Sequence, residues 1–188
     1  SLRSRLVERD ILDQYPEVKR ADVIIPLLAR SPHVVLHFDP VFMRIILGNN
    51  RQGIVSESGR FIYEGSAEAT NSRFAGLASL SLPDITAVPG QEVLTGVEVA
   101  LFRLLHSEFD GSEENRPKLK SIEYDIAKRE LKARFEGVQY FAKLTPERDA
   151  REQVGALVAS IREVGEGSGA LSIQEYIDVR VDGRVFIK

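Results

Sequence analysis

Three residues have types and spacing that suit chemistry together: His33, His37 and Asp39. Residues at even spacing along an extended strand face the same side, so all three are placed to converge. Two imidazoles and a carboxylate are zinc ligands, and a zinc-activated water there would make the protein a metal-dependent hydrolase. The same spacing describes a half-exposed strand face at a domain junction, which is the plainer expectation. The other chemical candidates lack context. His106 stands alone on an amphipathic stretch, where a surface or capping role suits it better than that of a base. Glu113 and Glu114 fall in the charged loop FDGSEENRPKLK, where solvation is the default. GEGSG is glycine-rich, but it does not follow a strand and open a helix with a lysine, as a phosphate cradle requires. Ser168 within it lacks the strand–turn–helix setting of a nucleophile elbow. The chain has no cysteine, which excludes thiolate catalysis, disulfides and Cys-ligated zinc. The residues therefore point to no enzyme, no bound cofactor and no metal site.

Bulk properties narrow the class. With 188 residues and 43% hydrophobic content, the chain can bury a core in one domain or in one and a half. A net charge of -3 argues against a nucleic-acid surface, which is normally basic. No stretch approaches the roughly 20 apolar residues of a membrane span. The opening SLRSRLVERD is not a signal peptide, so any anchor is expected to lie outside these residues.

The elements that must position any site follow from periodicity. SRLVERDILDQYPEV reads as a helix with Leu6, Ile11 and Leu12 near one face, stopped by Pro16. ADVIIPLL and HVVLHF read as strands separated by a turn around Ala29 to Pro32. Asp39-Pro40 interrupts, and VFMRIIL begins a new apolar strand. GIVS and RFIY are expected to be short antiparallel strands around a Ser58-Gly59 turn. Residues 64–82, small and polar with scattered leucines, suggest a long loop before a strand at PDITAV. TGVEVALFRLLHSEF has Val97, Leu101, Leu104 and Leu105 at helical spacing. SIEYDI, ELKARFE and VQYFAKL alternate as strands, broken at Lys128-Arg129 and at Gly137. Thr145-Pro146-Glu147 carries a capping hydroxyl, a first-turn proline and an acid, so it is expected to start a helix. Val154, Leu157, Val158 and Ile161 then recur at amphipathic spacing. YIDVRVDGRVFIK closes with two alternating runs around Asp182-Gly183, a hairpin signal. The sum is α+β, an antiparallel sheet covered by helices on one side and ending in a C-terminal hairpin.

The order of these pieces resembles a family. PEVKRADVIIPLL followed by VVLHF is similar to the second half of a POTRA domain. FMRIIL…GIVSESGRFIY, LPDITAVPGQEV, YFAKLTPERDAREQVGALVASI and the closing YIDVRVDGRVF resemble successive segments of the FtsQ/DivIB family of bacterial cell-division proteins. The matches run in the family's order over nearly the whole chain, and IDVR followed by a glycine turn is the most specific of them. Val181 stands where the family often carries an aromatic residue, and Ile187 and Lys188 stand near a terminal one.

That resemblance implies a partial POTRA domain over residues 1–38, its first strand and helix lying upstream, and an FtsQ-type β domain over residues 39–188. It implies a non-enzymatic divisome scaffold, membrane-anchored and single-pass, with this part on the periplasmic side, binding FtsB-like and FtsL-like partners during septum assembly. The family's closing hairpin is where the partner binds, which points to Arg180, Val181, Gly183, Arg184, Val185, Phe186 and Ile187. Addition of a partner strand to the last strand, expected over Arg184 to Lys188, is the mode the hairpin suggests, with Arg180 facing an acidic partner residue and Phe186 an apolar contact. A POTRA-type module of an outer-membrane assembly or secretion system is the alternative of similar fold. It is disfavoured because one β-rich domain, rather than a barrel or further repeats, follows the first forty residues.

Overall fold

A computed structural model describes residues 2–25, 31–48, 51–113, 116–166 and 173–188. Glu114, Ser168 and most of the GEGSG break lie outside the described residues.

Helix α1 (Leu2–Gln14) stops before Pro16, as the missing amide of proline demands, and leads into β1 (Val18–Ile24). β1 pairs antiparallel with β2 (His33–Phe38) to make a two-stranded sheet. Val18, Ala21 and Val23 of β1 are buried, whereas all six residues of β2 are exposed.

The rest builds one nine-stranded sheet. Its strands are β3 (Val41–Leu47), β4 (Gln52–Ser56), β5 (Phe61–Gly65), β6 (Ser79–Leu82), β7 (Leu119–Asp125), β8 (Glu130–Phe135), β9 (Phe141–Leu144), β10 (Tyr176–Asp178) and β11 (Phe186–Ile187). They lie in the order β11-β10-β9-β8-β7-β6-β3-β4-β5. The sheet is mixed, not antiparallel as the alternating runs suggested: β3 with β6, β6 with β7 and β9 with β10 run parallel. Each parallel step needs a crossover, and helices supply two of them. α3 (Gly96–Glu108) lies between β6 and β7, and α4 (Ala150–Glu166) between β9 and β10.

These two helices pack on one face. Val99, Phe102 and Leu105 of α3 and Val154, Leu157 and Ile161 of α4 share one core with Leu80, Ile122, Leu131, Ala142 and Ile177. The third crossover, between β5 and β6, holds α2 (Ala67–Arg73), capped by Ser66, where the sequence suggested only loop. α2 sits on the opposite face, over β3 to β5. Arg44 on β3 donates to Asn71 at 2.5 Å and to the Leu77 carbonyl at 2.9 Å, and Tyr63 meets Phe74 at 6.2 Å between ring centres. PDITAV forms no strand.

Local chemistry fixes the helix starts. Thr95 caps α3 in a full capping box with Glu98. For α4 the cap is Asp149, whose Oδ1 accepts from the amides of Arg151 at 2.9 Å and Glu152 at 3.0 Å, not Thr145. Thr145 instead exchanges backbone bonds with the buried Gln153 amide at 2.9 and 2.8 Å, which ties the start of α4 to the end of β9.

The joint between residues 1–38 and 39–188 is hydrogen-bonded. Asp39 N donates to the Glu17 carbonyl at 2.8 Å, and Ser58 Oγ donates to its carboxylate. Arg60 reaches the Val18 carbonyl at 3.4 Å. No helix among the described residues is long and apolar enough to cross a membrane.

Candidate functional site

The residues that suggested a metal do not converge. His33 and His37 are exposed, and His37 Nε2 lies 3.0 Å from Asp22 Oδ2 on the neighbouring strand. Asp39 is buried and turned toward Ser58. No group of three or more His, Asp or Glu side chains among the described residues is placed to hold a metal ion. His106 sits in the last turn of α3, where a cation suits the helix dipole. The buried Glu98 serves the α3 cap and accepts from the Tyr124 hydroxyl. Burial first, and then that hydrogen bond, push the Tyr124 hydroxyl well above its ordinary pKa. A cavity of about 250 Å³ near the start of β8 is lined by Asp84, Glu123, Asp125 and Glu130, with Lys128 and Lys132 among them. Three of these four acids pair with cations: Asp125 with Lys128 at 2.7 Å, Glu123 with Arg134 at 3.1 Å, and Glu130 with Arg180.

The closing hairpin is arranged differently from a tight two-residue turn. β10 ends at Asp178, β11 spans only Phe186–Ile187, and residues 179–185 make a loop between them. Gly183 takes φ +63°, but Asp182 is not in that region. A type I′ turn needs positive φ at both central residues, so the connection is longer and looser. Ile177 and Val179 are buried under α4, while Val181 swings out to 46% exposure and leaves the shared strand face expected of it.

Arg148, just before α4, anchors this loop. Its guanidinium donates to the Val179 carbonyl at 3.3 Å, Asp182 at 2.7 Å and Glu152 at 3.1 Å. Between α4 and the loop lies a groove of about 430 Å³, its apolar lining including Ala156, Val179, Val181 and Val185.

Of the residues read as partner-binding, Val181, Val185 and Phe186 are exposed, and Arg184 and Gly183 sit on the same loop. Arg180 is only half-buried, yet its guanidinium is already engaged. It grips Asp178 at 2.9 and 2.6 Å and also meets Glu130 on β8. Burial raises the Asp178 pKa, but the hydrogen bonds and charge of Arg180 outweigh it and leave the carboxyl below its ordinary range. Arg180 therefore braces β10 against β8.

β11 is the outer strand of the sheet among the described residues. Tyr176 and Lys188 exchange both backbone bonds, at 3.0 and 3.2 Å. In an antiparallel ladder such pairs alternate with unbonded ones, so the N–H and C=O of Ile187 point away from β10. Val185 lies in the loop just before β11, with its side chain exposed.

Residues on the neighbouring strands were not singled out by spacing. On the face opposite α3 and α4, β9 and β10 set Phe141 beside Tyr176, with ring centres 6.0 Å apart, among Lys132, Arg134 and Lys143. Alternation marks each as solvent-facing on its own strand. Only the sheet order makes them neighbours.

No protein-family model matches the chain. No curated protein matches it either.

Proposed function

We propose that the protein is a non-enzymatic divisome scaffold, the periplasmic part of an FtsQ-like cell-division protein. It binds FtsB-like and FtsL-like partners by strand addition at β11, and reaches the membrane through an anchor outside these residues. The observation that carries this reading is the geometry of the β11 edge. A two-residue outer strand presents the backbone groups of Ile187, flanked by exposed Val185 and Phe186, with an apolar-lined groove against α4 directly beside it. An added strand takes affinity from such backbone groups, and alternate side chains give specificity. Val181 and Val185 line the groove that an apolar partner side chain would enter, and Arg148 holds its wall through Val179 and Asp182. Residues 1–38 are read as the second half of a POTRA domain. The exposed row Val34, Leu36 and Phe38 on β2 is the face its first half would cover.

The test compares two variants at one position. Val185→Pro removes the backbone donor next to β11, and Val185→Ala keeps it. Binding of an FtsB-like partner, measured by calorimetry on folded variants, is expected to fall at least about tenfold for Val185→Pro and by less for Val185→Ala. Wild-type affinity in both variants contradicts strand addition. A pull-down from bacterial membranes is expected to recover small bitopic coiled-coil proteins. Recovery of outer-membrane barrels instead contradicts the divisome reading.

A further inference from the structure

At the end of the sheet far from β11, a groove of about 250 Å³ opens over β3–β5, where the end of α2 meets the residues that precede β1. Val41, Ile54 and Ile62 give it an apolar lining, and Tyr63 and Phe74 add two aromatic rings. Ile54 and Ile62 are buried, yet neither belongs to the core that α3 and α4 share with the sheet. Val41 beside them is 47% exposed, so this apolar surface still gains from being covered. Two charges of opposite sign line the same groove: Glu17, just before β1, and Arg73, in the last turn of α2. Nearby charges find partners, as Arg51 does with Glu64 at 2.5 Å. These two do not. Neither side chain makes a hydrogen bond or an ion pair among the described residues, with the other or with a third group. Arg73 has only the Phe74 ring, whose centre lies 5.5 Å from its guanidinium carbon.

We propose that this groove binds a short free peptide, its ammonium taken by Glu17, its carboxylate by Arg73, and an apolar side chain resting on Val41, Tyr63 and Phe74. A free peptide supplies both charges from its two ends, whatever its side chains. A ligand of one charge leaves either Glu17 or Arg73 unmet, and a purely apolar one leaves both. The loop of a folded partner brings neither terminus, so it needs a base and an acid in fixed register to do the same. The volume is below the roughly 300 Å³ at which ligand pockets usually begin, which limits the occupant to a few residues. The site does not rest on the strand-addition reading. β4 lies seven strand spacings from β11, roughly 34 Å at about 4.8 Å each. The groove spans the joint instead: the Glu17 carbonyl accepts from the Asp39 amide at 2.8 Å, and Val41 follows two residues later. A bound peptide therefore bridges residues 1–38 and residues 39–188 and stabilises their docking.

The experiment is an NMR titration of the isotope-labelled chain with the tripeptide Gly-Leu-Gly and with its acetylated, amidated form. The free peptide is expected to shift the amides of Val41, Tyr63 and Phe74 saturably, with a Kd of about 1 mM or tighter, and the blocked form to bind at least about fivefold more weakly. Glu17→Gln and Arg73→Gln are each expected to weaken the free peptide about fivefold or more, and Arg73→Lys by less. Neither side chain has a hydrogen-bond or ionic partner to lose, so the variants are expected to keep the wild-type spectrum outside the groove. The same titration in Val185→Pro is expected to be unchanged, so that failure of the groove and failure of strand addition are seen separately. No saturation at these amides by about 10 mM peptide overturns the site. So does equal binding of the blocked form, which assigns the groove to an internal segment of a partner. Shifts centred on Val185 and Ile187 instead place the peptide at β11 and overturn it as well.

Discussion

The two outer strands of the nine-stranded sheet treat the same liability in opposite ways. At β5 the chain covers the start of its own edge, at Phe61. Phe61 donates to the Gln91 carbonyl at 2.8 Å and accepts from Gly90 at 2.7 Å, and Val93 and Leu94 both bond back to Gly59. Phe61 and Ile62 are accordingly buried. At β11 no described segment plays that part, and Val185 and Phe186 are exposed. An unpaired edge invites another strand, and proteins usually blunt or cover it. On the proposed function, covering one edge and leaving the other short but accessible confines association to one side. The β5 edge would then belong to stability and the β11 edge to recognition, and substitutions can separate the two.

The largest contrast is between two phenylalanines. Phe61→Ala leaves a cavity in the core and is expected to cost about 3–5 kcal/mol in chemical denaturation. Phe186→Ala is expected to cost under about 1 kcal/mol yet weaken partner binding measurably. Equal stability losses at the two sites contradict the division of roles.

A glycine at each edge sharpens the comparison. Gly59 and Gly183 both take positive φ, +84° and +63°. A Cβ on Gly59 would also lie 2.2 Å from the Leu94 carbonyl oxygen, while one on Gly183 meets nothing within 4 Å. Strain in the left-handed region is about 1–2 kcal/mol, and forced overpacking adds about 1–3. Gly59→Ala is therefore expected to lose about 3 kcal/mol and Gly183→Ala about 1 kcal/mol in thermal or denaturant unfolding. A reversed ranking contradicts the account of the covered edge.

What the sequence revealed follows the range of its signals. α3 and the turns at Gly59 and Gly137 rest on neighbours a few residues apart, and they appear where periodicity and turn chemistry put them. β6 does not. SLSL is only four residues long, and it is a strand because β3 and β7 flank it in parallel, each brought there across a long connection. The parallel pairings explain why an antiparallel sheet was the wrong expectation: no local pattern records them. Thr145 and Asp149 both precede α4, and only the buried Gln153 decides that Thr145 is tied down and Asp149 becomes the cap. The candidate edge was legible as a closing strand, since alternation around Asp182-Gly183 survives without any context. The commitment of Arg180 to Glu130, fifty positions earlier, was not, nor was the pairing of Phe141 with Tyr176 across β9 and β10.

The smallest expected effect concerns acid. The Asp178 carboxyl has a lowered pKa in the folded protein, so the stability it contributes is present above its unfolded value of about 3.9 and is lost as pH falls through the lower folded value. Denaturation of wild type and Asp178→Asn at stepped pH is expected to show a difference that is constant near neutrality and shrinks below about pH 4. Phe61→Ala and Gly59→Ala at the β5 edge are expected to leave that acid limb unchanged. A difference that persists undiminished into strong acid contradicts the role given to the Arg180–Asp178 pair.

The most direct test of the open edge is hydrogen exchange at the backbone amides of Val185 and Ile187, read residue by residue with and without an FtsB-like partner. These amides are expected to exchange fast in the free protein and to become protected on binding, while the Phe61 amide, already bonded to Gln91, is slow in both states. A partner that binds tightly and leaves Val185 and Ile187 exchanging at their free rates contradicts strand addition at β11.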